Sequence, residues 1–395
     1  MSYIDTVTLH CRTNSFIFKY ITPNDAGITK SHQAGFHLPK TSWQLFFEHE
    51  GKKGDFLEKP IKITWKSEDG LETDTSSSFK YYGRRTRNEY RLTRVGKEFP
   101  FRNGNYLGSL LVISKSGDHY QAWIISSEDN INHFLEYFGI SPLDTGRYIN
   151  PDKSLFLFNN EPIKFSEQKI FEELLTPFPE NFPSGKEMCQ YSVDITNMVY
   201  GNISNNDDLL LKRLDTEYKL YQYIETGLFE PKLKAASNSI NDFLKLSLSI
   251  QNKRKARAGQ SLENHLKVIF NENKIRYTSN GITEGNKKPD FIFPGIKEYH
   301  DNKFPADRLV FLGAKTSCKD RWRQILVEAD RIRKKHLITL EQGISLNQIN
   351  EMRCKDVQLV IPKDFLPMYP QQVRDSIMTL NNFIEYVQEK QSESG

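Results

Sequence analysis

Residues 287–333 constrain this chain more than any other stretch. They open KKPDFIFPG and close LVFLGAKTSCKDRWRQILVEADRIR. Two apolar runs, DFIF (290–293) and RLVFLGAK (308–315), are strand-sized. Each bears a charged residue at one end: Asp290 at the mouth of the first and Lys315 at the close of the second. Glu328 follows Lys315 by thirteen positions. The spacing predicts a helix over about 320–335, with Trp322, Ile325, Leu326, Ala329 and Ile332 on its core stripe and Glu328 beside it. An acid, a lysine and a second acid gathered from strand ends are the components of a metal-dependent phosphodiesterase. The carboxylates hold Mg²⁺, and the lysine steadies the attacking water or the developing negative charge. The usual acid two positions before the lysine is missing, because Gly313 stands there. A lone carboxylate holds Mg²⁺ poorly, since the ion demands several oxygens in near-octahedral order. Glu328 supplies the repair, and Glu263, bordering the apolar stripe of an earlier helix, is a candidate additional acid.

Charge placement agrees with a phosphate-facing surface. The 395 residues carry a net charge of only +4. Residues 251–335 hold 20 Lys/Arg against 10 Asp/Glu, an excess of +10 that leaves −6 for the remainder. A solvated helix face would read the same way. Just past Lys315, Lys319, Asp320 and Arg321 offer two long cations and a short acid, a set that can meet G and C edges in a major groove.

The length favours two domains. Residues 1–160 read as β-rich, with short runs at 15–21, 43–47 (WQLFF), 61–65, 109–114 and 121–126, and a short helix at 131–139. This is the pattern of a barrel or sandwich. Two places in this half look functional. The long loop 22–39 ends with His32, Gln33 and His37. GRRTRNEYRLTR (83–94), taken as a strand, puts Arg85, Arg87, Glu89 and Arg91 on one face, able to contact phosphates and base edges. Residues 161–183, rich in Pro, Phe and Glu, form the expected linker, and 184–395 an α/β domain. Helices are expected at 208–229 and 239–258, with a third capped by Ser261 after Gly259. The four cysteines lie far apart in no ligand spacing, so zinc and disulfides are not supported. The opening MSYIDTVTLH lacks signal-peptide features, and the expected location is the prokaryotic cytoplasm.

The segments ITEGNKKPDFIFP (282–294), AKTSCKDRWRQILVEAD (314–330) and RKARAGQSLENHL (254–266) closely resemble the catalytic domain of the EcoRII restriction endonucleases. FKYITPNDAGITKSHQAGFHLP (18–39) and TRNEYRLTR (86–94) resemble the N-terminal effector domain of the same family. The resemblance implies a PD-(D/E)XK nuclease joined to a B3-like DNA-binding pseudobarrel, with Mg²⁺-dependent double-strand cutting at a short site, CC(A/T)GG in the family's type member. It makes Asp290, Lys315 and Glu328 catalytic, with Glu263 an additional acid near the metal. Lys319, Asp320 and Arg321 would read the outer C·G pairs, and Arg213 would act at the centre of the site. His32, Arg85, Arg87, Glu89 and Arg91 would fall on the effector domain's DNA-contacting positions. Tyr90 replaces a basic residue of the family, and His37 an aromatic one. The implied partners are duplex DNA and a cognate DNA methyltransferase; monomer and homodimer both stay open. A sequence-specific DNA-binding protein with a silent nuclease fold is the competing reading, separated by tight metal-independent binding without cutting. A nuclease that senses modified DNA is a third, separated by comparing methylated with unmethylated substrate.

Overall fold

A computed structural model describes residues 2–29, 35–96, 98–151, 165–176, 178–236, 240–319 and 321–392. The chain divides into two compact units, the first comprising Met1–Asn159 with Gln342–Asn347 and Pro367–Gln372, the second the remainder.

In the first unit, eight strands form one mixed sheet: β1 (Phe16–Tyr20), β2 (Phe36–Leu38), β3 (Phe56–Ser67), β4 (Glu72–Tyr82), β5 (Glu89–Thr93), β6 (Leu110–Ser116), β7 (His119–Ile125) and β8 (Tyr148–Ile149). Their order is β2-β5-β4-β3-β7-β6-β1-β8, antiparallel throughout except for β3 beside β7. The two-residue period of a strand divides the apolar residues between two cores. Ile17, Leu111, Ile113, Ala122 and Ile124 face a cluster with Phe36, Phe46, Trp65, Phe79 and Tyr90. Their neighbours Phe16, Phe18, Val112 and Trp123 face the opposite cluster. There they meet Ile4 and Val7 of helix α1 (Tyr3–Thr13).

WQLFF, expected as a strand, is instead the short helix α2 (Trp43–Phe46). Phe47 N donates to Trp43 O at 2.7 Å, and Leu45 and Phe46 are buried in one cluster, which alternation would forbid. The helix expected at 131–139 spans α3 (Glu128–Phe138), ended by Gly139 in the left-handed region at φ 60°.

One carboxylate clasps the base of the 22–39 loop. Asp25 Oδ2 accepts from Thr22 N at 3.0 Å and from Lys19 Nζ at 2.5 Å, while Oδ1 accepts from His37 N at 3.0 Å. Lys19 Nζ donates onward to His37 O at 2.6 Å. This buried ion pair is fully hydrogen-bonded, the condition under which burying charge is tolerable.

The second unit starts with helices. Within the expected linker lies α4 (Phe165–Leu174), whose Phe171 packs with Leu175, Met188, Ile195, Leu220 and Ile224. Then follow α5 (Gly185–Tyr200), opened by a Ser184–Glu187 capping box, α6 (Asn206–Ala236) and α7 (Ile240–Glu272). The two helices expected on either side of Gly259 are therefore one, and Ser261 lies inside it rather than capping a new one. A buried stripe of Leu262, Leu266, Ile269 and Phe270 runs on its C-terminal half.

A six-stranded mixed sheet follows: β9 (Thr278–Ser279), β10 (Phe291–Phe293), β11 (Val310–Lys315), β12 (Lys335–Thr339), β13 (Val357–Ile361) and β14 (Met378–Thr379). Their spatial order equals their sequence order; β9, β10 and β11 pair antiparallel, and β11 to β14 parallel. Helices α8 (Ile296–His300) and α11 (Leu380–Ser392) belong to the unit, while α9 (Leu346–Cys354) and α10 (Gln371–Arg374) begin in the first unit and end in the second. Buried Asp207 at the start of α6 caps α11, accepting from Leu380 N at 2.8 Å and Asn381 N at 3.2 Å. No helix among the described residues is long and apolar enough to cross a membrane.

Candidate active site

Backbone pairing creates the site. Phe291 lies opposite Leu312 in the antiparallel β10–β11 pair, which brings Asp290 to the end of β11. Asp290 Oδ2 accepts from Ala314 N at 2.7 Å and from Lys315 Nζ at 3.0 Å. Asp290 Oδ1 takes no hydrogen bond among the described residues and is left for another partner.

Glu328 and Glu263 join this pair from two other elements. Burial, and next the charge of Asp290, push the Glu328 carboxyl above its ordinary range, while Lys315, Lys335 and Lys287 pull it back. Glu263, on α7, is pushed up in the same order, by burial and then by Asp290, with Lys267 and Lys315 opposing. Three partly buried carboxylates thus interact through their charges, and Lys315 acts on all three. Such a cluster is destabilised by its own repulsion, and its all-oxygen donor set suits a hard divalent cation. The residues present fit the group.

The route by which Glu328 arrives differs from the expected helix. Residues 322–327 form a 3₁₀ helix, Glu328 itself is extended (φ −100°, ψ 145°), and Ala329 turns into the left-handed region at φ 50°. Lys335, expected at the helix end, is the first residue of β12. Trp322 and Ile325 are buried as the helical stripe required, so apolar spacing alone was satisfied by the tighter turn.

Two lysines grip this segment. Lys287 Nζ donates to Val327 O; Lys335 Nζ donates to Glu328 O and, at 2.6 Å, to Ala329 O. Lys335 is 4% exposed, and burial pushes its ammonium down to about 8 against the pull of Asp330, Glu328 and Glu284. Sequence reasoning missed both residues. A lysine at the head of an apolar strand, KHLIT, was the available signal for Lys335.

The other expected site residues are dispersed. Lys319 is buried, its carbonyl accepting from Gln348 Nε2 at 3.1 Å, and Arg321 is exposed beside it at the 3₁₀ start. Asp320 and His32 lie outside the described residues. Arg213 is 2% exposed; its guanidinium makes two bonds to Glu272, at 2.8 and 2.7 Å, on the wall of a cavity of about 580 Å³ lined also by Asn197, Asn202, Ser204 and Asn273.

In the first unit, the expected strand face of four residues is only half formed. Arg87 N donates to Arg84 O and Arg85 sits at φ 58°, so 84–87 is a turn and β5 starts at Glu89. Exposed Arg87 stacks over the Tyr82 ring at 5.6 Å. Glu89 and Arg91 share a face and pair with each other at 3.2 Å, with His37 Nε2 3.8 Å from Glu89.

A second group of metal-type donors lies deep among the helices: Cys189, Glu217 and His265, all buried. The imidazole stands between the other two, Nδ1 3.4 Å from Cys189 Sγ and Nε2 2.7 Å from Glu217 Oε2. Burial, then Glu217, push the Cys189 thiol up to about 12. Thiol, imidazole and carboxylate in file form a hydrogen-bonded chain joining α5, α6 and α7. One ligand atom from each of the three lies within 4.8 Å of the others.

Comparison with known proteins fixes the class. The model described as "Restriction endonuclease EcoRII, N-terminal" matches residues 11–142, and "EcoRII C terminal" matches residues 221–384. The chain is accordingly a site-specific, DNA-binding nuclease of restriction type, and a divalent metal cofactor is implied. It is 34% identical over 386 residues to the "Type II restriction enzyme EcoRII" of Escherichia coli, covering 94% of this chain and 93% of that one. The chain belongs to the EcoRII family of type II restriction endonucleases. Among solved structures it is similar to "Restriction endonuclease PspGI-substrate DNA complex" (15% identity, TM-score 0.45, 54% of this chain and 95% of that one). It is also similar to "Metal-depleted Ecl18kI in complex with uncleaved DNA" (19%, 0.46, 57% and 85%).

Proposed function

We propose that the chain makes Mg²⁺-dependent double-strand cuts at a short CC(A/T)GG-like site, using a PD-(D/E)XK centre in its second half and a B3-like DNA-binding effector domain in its first. The convergence of Asp290, Lys315, Glu328 and Glu263 carries this reading. Asp290 and Glu328 would hold Mg²⁺, and Glu263 would be a further carboxylate for it. When bound, the ion activates water and offsets charge on the phosphodiester. Lys315, already 3.0 Å from Asp290, places its ammonium where negative charge develops during in-line attack. Exposed Arg321, with Lys319 and Asp320, reads the outer C·G pairs, and Arg213 acts at the centre of the site. His32, Arg85, Arg87, Glu89 and Arg91 contact DNA in the effector domain. The enzyme works in the cytoplasm of a prokaryote, alongside a cognate methyltransferase, with monomer and homodimer both open as the cutting form.

The test is cleavage of unmethylated plasmid with Mg²⁺, sequencing the ends. Cuts at one CC-centre-GG site are expected. Lys315→Ala should lose about 100- to 1000-fold in rate while keeping specific binding. Unchanged cleavage by that variant would overturn the assignment. Binding without cutting by the parent chain would favour a DNA-binding protein with a silent nuclease fold.

A further inference from the structure

The carbonyls of residues 327–329 stand in an unusual position. Val327 closes a 3₁₀ helix, Glu328 is extended, and Ala329 adopts a left-handed conformation that L side chains rarely take. Neither Val327 O nor Glu328 O accepts a backbone N–H among the described residues. Left alone, such a segment would relax, and the Glu328 carboxylate would move with it.

Two ammonium groups fill the gap, one from strand β12 and one from the irregular stretch that leads to Asp290. Lys335 lies on β12 in register with Phe311 of β11, and its Nζ passes 5.0 Å from that ring before reaching Glu328 O and Ala329 O. Lys287, three residues ahead of Asp290, reaches Val327 O. Three consecutive carbonyls are therefore tied to the sheet on one side and to the Asp290 segment on the other. The next residues are fastened as well: Asp330 N donates to Glu284 at 3.3 Å and Arg331 N to the Tyr299 hydroxyl at 3.2 Å.

We propose that Lys287 and Lys335 are positioning residues for the cleavage reaction, holding the backbone of residues 327–329 so that the Glu328 carboxylate stays beside Asp290 and Lys315 and the divalent cation is bound tightly. This rests on the reading of Glu328 as a metal ligand. Lys335 touches no substrate and acts through the carbonyls it grips; Lys287 does the same and also couples the two acid-bearing segments directly. Groups that orient metal ligands from outside the coordination sphere commonly change metal affinity by about 10- to 100-fold.

The experiment uses the full chain with Lys287→Met, Lys335→Met and Glu328→Ala. Free Mn²⁺ is counted by EPR in titrations of each protein. Hydrogen exchange over residues 322–334 is followed without metal, and binding to site DNA is measured by gel shift without metal. The lysine variants should bind Mn²⁺ about tenfold more weakly. They should exchange faster in that segment alone and bind DNA as the parent does, and Lys287→Arg should recover most of the metal affinity. Parental Mn²⁺ affinity in folded lysine variants would overturn the proposal. Should Lys335→Met not fold, Lys287→Met and its arginine counterpart decide the matter. Glu328→Ala separates the two levels. If it binds Mn²⁺ and cuts like the parent, the site assignment itself fails. If it loses both while the lysine variants lose neither, only the positioning role fails.

Discussion

Ile325 occupies the space into which a side chain at position 313 would project. A Cβ placed on Gly313 would stand 2.9 Å from Ile325 Cγ2 and 3.6 Å from Leu337 Cδ1. An acid two residues before the lysine has no room here, because the 3₁₀ helix that leads to Glu328 packs on the same strand.

Restoring that acid should therefore harm the enzyme. Gly313→Asp overpacks a buried position and adds a charge there, costing about 1–3 kcal/mol from crowding alone. Thermal denaturation should show the loss, and cleavage should fall rather than rise. Adding Ile325→Ala should recover part of the stability, since the two positions are in contact. Full additivity of the two changes would show that Ile325 is not the obstacle.

Arg321→Ala should lower discrimination at one outer C·G pair by about 1–3 kcal/mol while leaving other positions of the site unaffected. Competition binding against a set of singly substituted duplexes provides the measurement. A uniform loss across all sequences would assign Arg321 to phosphate contact alone.

The raised carboxyls of Glu263 and Glu328 make stability depend on pH and metal together. Their folded values lie above the ordinary 4.5, so the folded state holds protons that the unfolded chain has released. The stability they contribute is complete below that pH and is lost as pH rises through the folded values. Divalent cation should reverse the loss, because it binds the ionised form. Melting temperatures with and without Mg²⁺ should differ more at pH 8 than at pH 5. In Glu263→Gln/Glu328→Gln that difference should vanish.

His336 produces the opposite limb. It lies fully inside the second unit, against Phe383 and Tyr386, with Nδ1 3.2 Å from Phe311 O. Burial, then Lys334, push it down to about 3 from 6.5. Its contribution is present above pH 6.5 and is lost as pH falls toward 3, with a slope of up to about 1.4 kcal/mol per pH unit. His336→Asn, which keeps an N–H for Phe311 O, should flatten the acid limb of a denaturation series. An unchanged limb would place the acid sensitivity elsewhere.

What was legible in the sequence follows from how local each signal is. DFIF and RLVFLGAK are short runs with a charge at one end, and pairing them needs no distant information, so Asp290 and Lys315 stood out. Glu328 rests on an expected helix that the structure replaces with a tighter turn. Trp322 and Ile325 at a spacing of three fit an α-helix and a 3₁₀ helix alike, and the left-handed Ala329 that ends the turn has no compositional mark. Gly259 looked like a break, yet α7 runs through it, because neighbouring helices outweigh a propensity cost of about 1 kcal/mol. GRRTR alternates like a strand, but the left-handed Arg85 bends it into a turn. The carbonyl grips of Lys287 and Lys335 span 40 and 7 residues and reach backbone atoms, which no residue pattern records.

The clasp at Asp25 has a consequence for the loop it closes. Because one carboxylate joins Lys19, Thr22 and His37, both ends of the loop are closed before its tip begins. Substitutions between those ends should leave the bonds at Asp25 in place.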